Sequence, residues 1–396
     1  MTTRPRIGDT ERRRRIGVRH GLAPAHRLDS VEAVTHAMTA LHSTEYASVH
    51  LAVAARSKGL TPADVDVALH DARTVVRQLA MRRTLFVFPR ELLPAAWGSA
   101  SARVAAAERR RIAKAIVAAG IADDGAAWLD RACAATLERL AAGPATTAEL
   151  RATVPELAGK VGGDTGKPWD RAVPVAPWVL TQLGLQGAVV RGRNAGHWRV
   201  NKPTWTRTED WLGAVPDALD EAAGYAELVR GWLATFGPGT AADVQWWLGS
   251  TKTAVTRALA DVEAVEVTLG DGTTGWVLPG DTEDTGPVEP WAALLPTLDP
   301  TVMGWKARAF HLDPAHVPFL FDTNGNAGTT AWWDGRIVGC WVQDEAGTVR
   351  LSLLEDVGTE ARTALEHEAE RLTAWLDGTV IGNVYASQQM KLARLP

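Results

Sequence analysis

One arrangement recurs three times along the chain and limits the folds that it can adopt. In each of the three repeats, segments with the apolar spacing of amphipathic helices lead into a short stretch of β-branched and aromatic residues. The three stretches are "TLFVF" at 84–88, "GAVVRGR" with "HWRV" at 187–200, and "VEVTL" with "TGWVL" at 265–278. Helices that lead into a strand or a hairpin are typical of a winged helix, so the sequence predicts three such units in series. The alternative is one irregular helical domain.

Start signals place several of the helices. One helix is predicted to end at about Arg56, and residues 61–83 are predicted to contain two more. Thr61 is a predicted N-cap because a proline follows it, and proline is favoured at the first helical position. In the third unit, Thr240 is a predicted N-cap, and Ser250 is predicted to cap a candidate recognition helix.

After Pro290 the pattern changes. "TTAWWDGRIVGCWVQDEAGTVRLSLL" alternates in polarity and predicts an antiparallel β-region, and "TEARTALEHEAERLTAWLDG" predicts a closing amphipathic helix. The expected fold class is therefore α+β, mainly helical with β wings, and it ends in a β-rich α+β domain. The expected divisions are a basic N-terminal arm (1–25), three winged-helix units (26–120, 121–210 and 211–288) and the C-terminal domain (289–396).

Composition limits the class of protein. With 46% hydrophobic and 22% charged residues, the chain is expected to be globular and soluble, without a transmembrane segment or secretory signal. Its two cysteines, Cys133 and Cys340, lie far apart, which argues against a disulfide framework or a cysteine metal site. No metal cluster and no nucleotide-binding fingerprint is evident. The sequence thus predicts a cytoplasmic protein without metal or cofactor.

The charge is unevenly distributed. The first 20 residues carry seven arginines against Asp9 and Glu11, or +5, although the net charge of the whole chain is −4. Because local basic patches determine phosphate binding, this arm is a candidate DNA contact. A solvated, partly frayed arm is an equally good interpretation.

The stretch "LHSTEYASVHLAVAAR" (41–56) is the candidate for chemistry. It follows a helical pattern over residues 31–40 and contains His42, Thr44, Glu45 and His50. Residues two apart on a continuous helix do not share a face, so the first two of these converge only if the helix breaks there. The sequence predicts such a break, with His42 ending one helix and Ser43 or Thr44 capping the next. A helix joint without chemistry remains the alternative, and His50 is assigned to packing.

Five stretches in this order carry a resemblance to a known family. They are the 41–56 stretch, "RRTLFVFP", "FGPGTAADVQWWLG", "LLPTLDPTVMGWKAR" and "FDTNGNAGTTAWWDGRIVGCW". Together they resemble the AlkZ/YcaQ-like tandem winged-helix DNA glycosylases, over nearly the whole chain. The resemblance implies a crescent of three winged helices and a β-rich C-terminal part that face a DNA duplex. It also implies excision of bulky N7-alkylated purines, and in some members the unhooking of interstrand crosslinks.

The resemblance also implies which residues act. The catalytic motif of the family is Gln-Xaa-Gln, with His at the first position or Asp at the second in variants. Aligned on Leu41, the first position is His42 and the second is Thr44, so this sequence departs from the pattern at the second place. His42 is the candidate to accept a proton from the attacking water or to orient it, and the hydroxyl of Thr44 is the candidate to position that water. Glu45 is a possible substitute carboxylate.

DNA contacts are expected from arginines of the arm and the first unit, and from the "DTNGN" hairpin signal in the C-terminal domain. The candidates are Arg15, Arg19, Arg56, Arg73, Arg77, Arg82, Arg83, Asn324 and Asn326. Asp299 and Trp305 of "LDPTVMGW" are expected on the concave face, although Asp299 also fits a turn or cap, and a structural turn fits the two asparagines.

The expected function is a monofunctional DNA glycosylase for bulky or cationic N7-alkylpurines, acting as a monomer on duplex DNA in the cytoplasm, on the nucleoid. One alternative is a DNA-binding protein without catalysis, suggested by Thr44 in place of an amide. The other is a resistance protein that sequesters a genotoxin on a tryptophan-rich concave face, although most of the 17 tryptophans are expected in the core.

Overall fold

The computed structural model describes residues 4–162 and 172–393. About 49% of the chain is helix and 17% is strand, which confirms the predicted mixed α+β class. The helices are α1 (Asp9–Arg19), α2 (Val31–Ala37), α3 (Tyr46–Arg56), α4 (Pro62–Asp66), α5 (Leu93–Ala96), α6 (Ala102–Ala118), α7 (Gly125–Ala141), α8 (Thr147–Thr153), α9 (Ala176–Leu185), α10 (Thr208–Leu212), α11 (Glu221–Phe236), α12 (Ala241–Leu248), α13 (Lys252–Asp261), α14 (Pro300–Met303), α15 (Val317–Leu320), α16 (Gly358–Leu376) and α17 (Gln388–Ala393).

The strands are β1 (Arg6–Ile7), β2 (Leu41–His42), β3 (Val75–Leu79), β4 (Leu85–Pro89), β5 (Lys160–Val161), β6 (Val173–Pro174), β7 (Val189–Asn194), β8 (Pro203–Arg207), β9 (Val265–Leu269), β10 (Thr274–Val277), β11 (Ala292–Leu295), β12 (Thr330–Trp333), β13 (Arg336–Gln343) and β14 (Val349–Leu353).

Three antiparallel hairpins follow helices, as the repeated sequence pattern predicts. They are β3–β4, β7–β8 and β9–β10. The first gains β2 as a third strand, in the order β2-β4-β3, and the third gains β1, which runs parallel to β9. Residues 289–396, which we call the C-terminal domain, contain the predicted antiparallel sheet, in the order β11-β12-β13-β14, and α16 packs against it. Among the described residues, no helix is long and apolar enough to cross a membrane.

Two predicted elements are wrong. Residues 75–79 form a strand and not a helix, because Val75 and Val76 are β-branched and all five side chains are buried between the neighbouring elements. The second strand of the middle hairpin is β8, and not His197–Val200. There the Asn194 side chain donates to the carbonyl of Val200 at 2.8 Å and accepts from the N–H of Lys202 at 2.7 Å, which closes the intervening residues into a loop.

The N-terminal residues do not form a free arm. Arg6 and Ile7 pair with β9, and α1 packs into the protein with Arg15 only 3% exposed. Its guanidinium contacts Glu11 at 2.8 Å and Asp281 at 3.3 Å. The predicted basic arm is thus wrong for residues 6–19, because acidic side chains and a strand partner hold this segment in place.

A buried ion pair joins α3 to the C-terminal domain. Arg56 donates to both carboxylate oxygens of Asp299, at 2.9 and 2.6 Å, and also to the hydroxyl of Thr301 at 2.8 Å. Both charged side chains are fully buried. Asp299 also caps α14 by accepting from the N–H of Thr301 at 2.9 Å. Arg56 is therefore not a DNA contact, and Asp299 does not line an open face.

Trp305 is likewise a core residue and not a concave-face residue. It is 2% exposed, and its indole N–H donates to the carbonyl of Phe236 at 3.0 Å. The rings of Phe236 and Phe310 pack edge-on against it, at 5.2 and 5.1 Å between centroids. An indole that finds both apolar neighbours and an acceptor is stable in a core, so burial costs Trp305 little.

The Arg56–Asp299 pair generates a stability prediction. Removing one partner leaves an uncompensated buried charge, so Arg56→Ala or Asp299→Ala should each lower the free energy of unfolding by about 3–5 kcal/mol. The double variant should lose less than the sum of the two single losses. Urea unfolding would measure both effects. The matched control is the exposed pair Arg109–Asp130, whose loss should cost only about 0–1 kcal/mol. Equal effects at the two pairs would contradict the prediction.

Candidate active site

The 41–56 stretch breaks between helices as predicted, but the break contains a strand. After α2 the chain turns at Thr39, whose φ is 61°, and then forms β2. Leu41 pairs with Val87 and His42 with Phe86, so His42 lies on a strand and does not end a helix. The following helix, α3, begins at Tyr46 with Glu45 as its N-cap, and no side chain caps it. The prediction that Ser43 or Thr44 caps this helix is therefore wrong.

His42 is held in an apolar environment. It is 7% exposed, and its ring lies edge-on to Phe86 with 5.3 Å between centroids. Burial, and then the positive charge of Arg82, lower the pKa of His42 to about 3. The imidazole is therefore neutral at pH 7. The backbone N–H of Thr44 points at Nδ1 from 3.5 Å, which favours the tautomer with the proton on Nε2.

The structure brings Thr44 to His42 but directs Glu45 elsewhere. Thr44 is half-buried beside His42. The carboxylate of Glu45 accepts from the hydroxyl of Thr297 and from the backbone N–H groups of Val384 and Tyr385. Oε1 of Glu45 thus holds the C-terminal segment in place and Oε2 binds Thr297, which contradicts the expected role of Glu45 as a substitute catalytic carboxylate.

Arg77 supports the stretch between the two motif positions. Its Nε donates to the hydroxyl of Ser43 at 2.9 Å, and its Nη2 donates to the Ser43 carbonyl at 3.3 Å and to Asn201 at 3.2 Å. The guanidinium also lies 4.6 Å from the ring centroid of Tyr46. Burial, and then the charge of Arg191, lower the pKa of Arg77 to about 9. Arg77 is 3% exposed, so it positions Ser43 and does not contact DNA from the surface.

A polar network behind the stretch was not anticipated. The hydroxyl of Tyr46 lies 2.6 Å from Nε2 of His70 and donates to Asp66 at 3.2 Å, and Nε2 of His50 lies 3.2 Å from the same carboxylate oxygen. His50 also packs on Trp198, at 5.1 Å between centroids, so the packing prediction omitted half of its role. The signal in the sequence is spacing: Tyr46 with His50, and Asp66 with His70, are each four apart on helical segments.

The remaining predicted DNA contacts lie in several places. Arg19 binds Asp281, and Arg73 donates to the carbonyl of Trp211 at 2.6 Å. Arg83 is exposed and pairs with Glu108 at 3.2 Å. Asn324 and Asn326 lie in a tight turn in which Asp322 accepts from both backbone N–H groups at 2.8 Å, so the turn interpretation is confirmed. Arg82 contacts Trp246, at 4.3 Å from the ring centroid. Most of these side chains are thus held by contacts within the protein.

The Streptomyces sahachiroi DNA glycosylase AlkZ has a similar fold, with a TM-score of 0.74 over 95% of this chain and 98% of that one, at 18% sequence identity. No match was found among curated protein sequences. A sequence profile for the family described as "DNA glycosylase AlkZ-like" matches residues 35–375.

The chain belongs to the AlkZ-like DNA glycosylase family. The resemblance inferred from the five sequence stretches is thereby confirmed. Membership of this family supports the prediction that the protein is a DNA glycosylase and that its partner is DNA. The matched residues include the whole of the stretch with His42 and Thr44, and among the described residues no cluster of His, Cys, Asp and Glu is arranged to hold a metal ion.

Buried neutral histidines in this AlkZ-like chain predict acid sensitivity. Burial is the first cause of the lowered pKa of each of His20, His42, His70 and His311. The unfolded chain binds protons at these groups near pH 6.5 and the folded chain does not, so stability is full above that pH and declines as the pH falls below it. Each such histidine contributes up to about 1.4 kcal/mol per pH unit.

The contribution of one histidine can be isolated by difference. Unfolding free energies of the native protein and of His42→Gln, measured between pH 4 and 8, should diverge below pH 6.5, with the variant losing less stability. His367→Ala, at an exposed position on α16, should follow the native curve. Parallel curves for the native protein and His42→Gln would contradict the neutral state of His42.

Proposed function

We propose that this protein is a monofunctional DNA glycosylase that excises bulky or cationic N7-alkylated purines from duplex DNA by attack of water at C1′. One observation supports the proposal: the neutral His42 faces the backbone N–H of the half-buried Thr44 at 3.5 Å, and these are the two residues that we align with the family's catalytic motif. The proposed chemistry uses no metal and no cofactor. Genotoxin adducts, including crosslinks, are the proposed class of bulky substrates.

The substrate itself supplies much of the driving force. An N7-alkylated purine carries a positive charge, so its N9–C1′ bond is already weak and the leaving base needs no protonation. Water forms the new bond to C1′, the purine departs with the electron pair of the broken bond and becomes neutral, and the proton of the water passes to solvent. The protein must hold the water and stabilise a sugar with oxocarbenium character. Positioning and proton transfer of this kind contribute about 10²–10⁴-fold to rate.

His42 suits the orienting role better than that of a base. With Nδ1 facing the N–H of Thr44, the proton lies on Nε2, which then donates to the oxygen of the water. A group with a pKa of about 3 is a weak base at neutral pH, so His42 does for the water what the glutamine amide does in the family motif. The Thr44 hydroxyl can accept a hydrogen bond from the same water. This pairing makes the departure at the second motif position compatible with catalysis.

The two other functions are less well supported. A DNA-binding protein without catalysis is favoured by one observation, the short hydroxyl of Thr44 where the family has an amide. A genotoxin-binding protein required a tryptophan-rich open face, but Trp232, Trp291, Trp332 and Trp341 are all fully buried. The burial of these four indoles weakens that hypothesis, although other tryptophans, such as Trp246, are only half-buried.

Excision assays test the proposal. Duplexes carrying one N7-methylguanine, or one bulky N7-guanine adduct, should yield free base and heat-labile abasic strands with the native protein. His42→Ala should lower the single-turnover rate by about 10²-fold or more, because the water loses its donor. His42→Gln should retain much of the rate, since glutamine is the family residue, and His367→Ala should equal the native protein.

Each contrary result has a definite meaning. Equal rates for native protein and His42→Ala would place the catalyst elsewhere. No excision of either lesion, together with salt-sensitive binding of the duplex, would favour the DNA-binding protein without catalysis.

The pH dependence separates the two roles of His42. If His42 orients water in its neutral form, the single-turnover rate should be flat between pH 5 and 8, because its pKa lies near 3. A general base with an ordinary histidine pKa would make the rate rise tenfold per pH unit below about 6.5. Such a rise, absent in His42→Gln, would replace the orienting role with general-base catalysis.

A further inference from the structure

Two arginines lie over one tryptophan beside the proposed catalytic site. The guanidinium carbon of Arg82, in the turn between β3 and β4, is 4.3 Å from the ring centroid of Trp246 on α12. That of Arg308, between α14 and α15, is 5.0 Å from the same centroid. Three separate parts of the chain therefore meet here: the first hairpin, the third helical unit and the C-terminal domain.

Neither arginine has an acidic partner among the described residues. Nε of Arg82 and Nη2 of Arg308 are buried and make no hydrogen bond, and Nε of Arg308 donates only to the carbonyl of Val302, at 3.1 Å. The carboxylate of Asp243 interacts electrostatically with Arg308 but makes no ion pair with it. Its oxygens already accept from the backbone N–H groups of Lys306 and Ala307, and from Thr240. The arginine pair thus presents unsatisfied donors.

Several other arginines of the protein do have a counter-ion. Arg15, Arg27 and Arg56 are as deeply placed, and each contacts a carboxylate. Arg308 has another cation as its neighbour instead of a carboxylate. Burial first, and then the positive charge of Arg82, lower the pKa of Arg308 to about 10. Two like charges in a partly buried site are unfavourable unless an anion joins them. Planar guanidinium groups match the oxygens of a phosphate.

The position of the pair indicates which anion. The charge of Arg82 is the second cause of the lowered pKa of His42, so this guanidinium lies within electrostatic range of the catalytic imidazole. Gly249 leaves the space for it, because a Cβ there would lie 2.7 Å from Cγ of Arg82. An anion bound here would be next to the nucleotide at His42.

We propose that Arg82 and Arg308, held over Trp246, bind together one backbone phosphate of the DNA strand whose nucleotide reaches His42. This inference rests on the proposed function for the identity of the nucleic acid. It adds a phosphate-binding site that fixes the position of the DNA strand relative to His42. The phosphodiester is the ligand, and both guanidinium groups share it.

The salt dependence of DNA binding reports how many phosphates the protein contacts. The logarithm of the affinity for duplex DNA falls with the logarithm of salt concentration, with a slope of about −0.9 per phosphate contacted. Binding of an undamaged duplex would be measured by fluorescence anisotropy for the native protein, Arg82→Met, Arg308→Met and the double variant. Methionine keeps an apolar contact with Trp246 and removes the charge. Arg109→Met, at an exposed arginine already paired with Asp130, is the control.

The expected pattern is specific to a shared phosphate. Each single variant should reduce the steepness of the slope by about 0.9, and the double variant should lose about the same amount and not twice as much. Arg109→Met should leave the slope unchanged. Unchanged slopes in both single variants would overturn the proposal, and so would a doubled loss in the double variant, which would indicate two separate phosphates. The thermal unfolding midpoints of the Arg82 and Arg308 variants should equal or exceed that of the native protein, because the repulsion between the two guanidinium groups has been removed.

A neutral-phosphate scan locates the contact. Methylphosphonate linkages would be placed one at a time around the lesion, and binding measured with His42→Ala carrying either Arg82 or Arg82→Met. At most linkages, the protein with Arg82 should bind more tightly than the Arg82→Met variant. At one linkage within about one nucleotide of the lesion, the neutral methylphosphonate removes the ligand of Arg82, so the two proteins should bind equally well. If the difference in affinity between the two proteins were the same at every linkage, the proposal would be contradicted. These binding results do not need excision, so the phosphate site can fail while the glycosylase activity stands, and the activity can fail while the site stands.

Discussion

The ion pair between Arg56 and Asp299 fixes α3 to the C-terminal domain, and the proposed active site depends on that helix. Arg56 is the last residue of α3, and His42 and Thr44 lie just before its first residue. At the opposite end, Arg77 holds Ser43 through both its hydroxyl and its carbonyl. Glu45 adds a third restraint, because it binds the backbone of the segment around Val384. A short motif can act only if its geometry is fixed, and here both ends of its helix are anchored to other parts of the chain.

Local signals predicted local structure well. Thr61 and Thr240 are N-caps with complete capping boxes, as their spacing to Asp64 and Asp243 indicates. The helix expected to start at Ser250 is capped by Thr251 instead, a shift of one residue. The strand β3 is not evident from the sequence because Arg77 and Gln78, which favour helices, lie together between buried valine and leucine, and only tertiary packing decides such a segment.

Long-range pairings explain why several site residues were misplaced. Arginine is rarely buried, so Arg56 and Arg77 were expected at the surface. Their partners Asp299 and Asn201 lie 243 and 124 residues away, and no spacing in the sequence reveals such a contact. The same holds for Arg82 and Arg308, which meet only because α12 inserts Trp246 between the first hairpin and the C-terminal domain. The family resemblance supplied the fold and the motif, but the cations around the motif emerge only in three dimensions.

Those cations give the proposed mechanism a requirement. Arg77 and Arg82 lie beside the motif, and neither guanidinium group makes an ion pair among the described residues, so both add positive charge next to the site. A sugar with oxocarbenium character would be repelled by such a site, as would a cationic N7-alkylpurine. A backbone phosphate at Arg82 and Arg308 removes that repulsion and places its negative charge near the developing cation. On this view duplex DNA is more than the carrier of the lesion: its phosphate completes the electrostatics of the site, and a free alkylated nucleoside, which lacks that phosphate, meets only the repulsion.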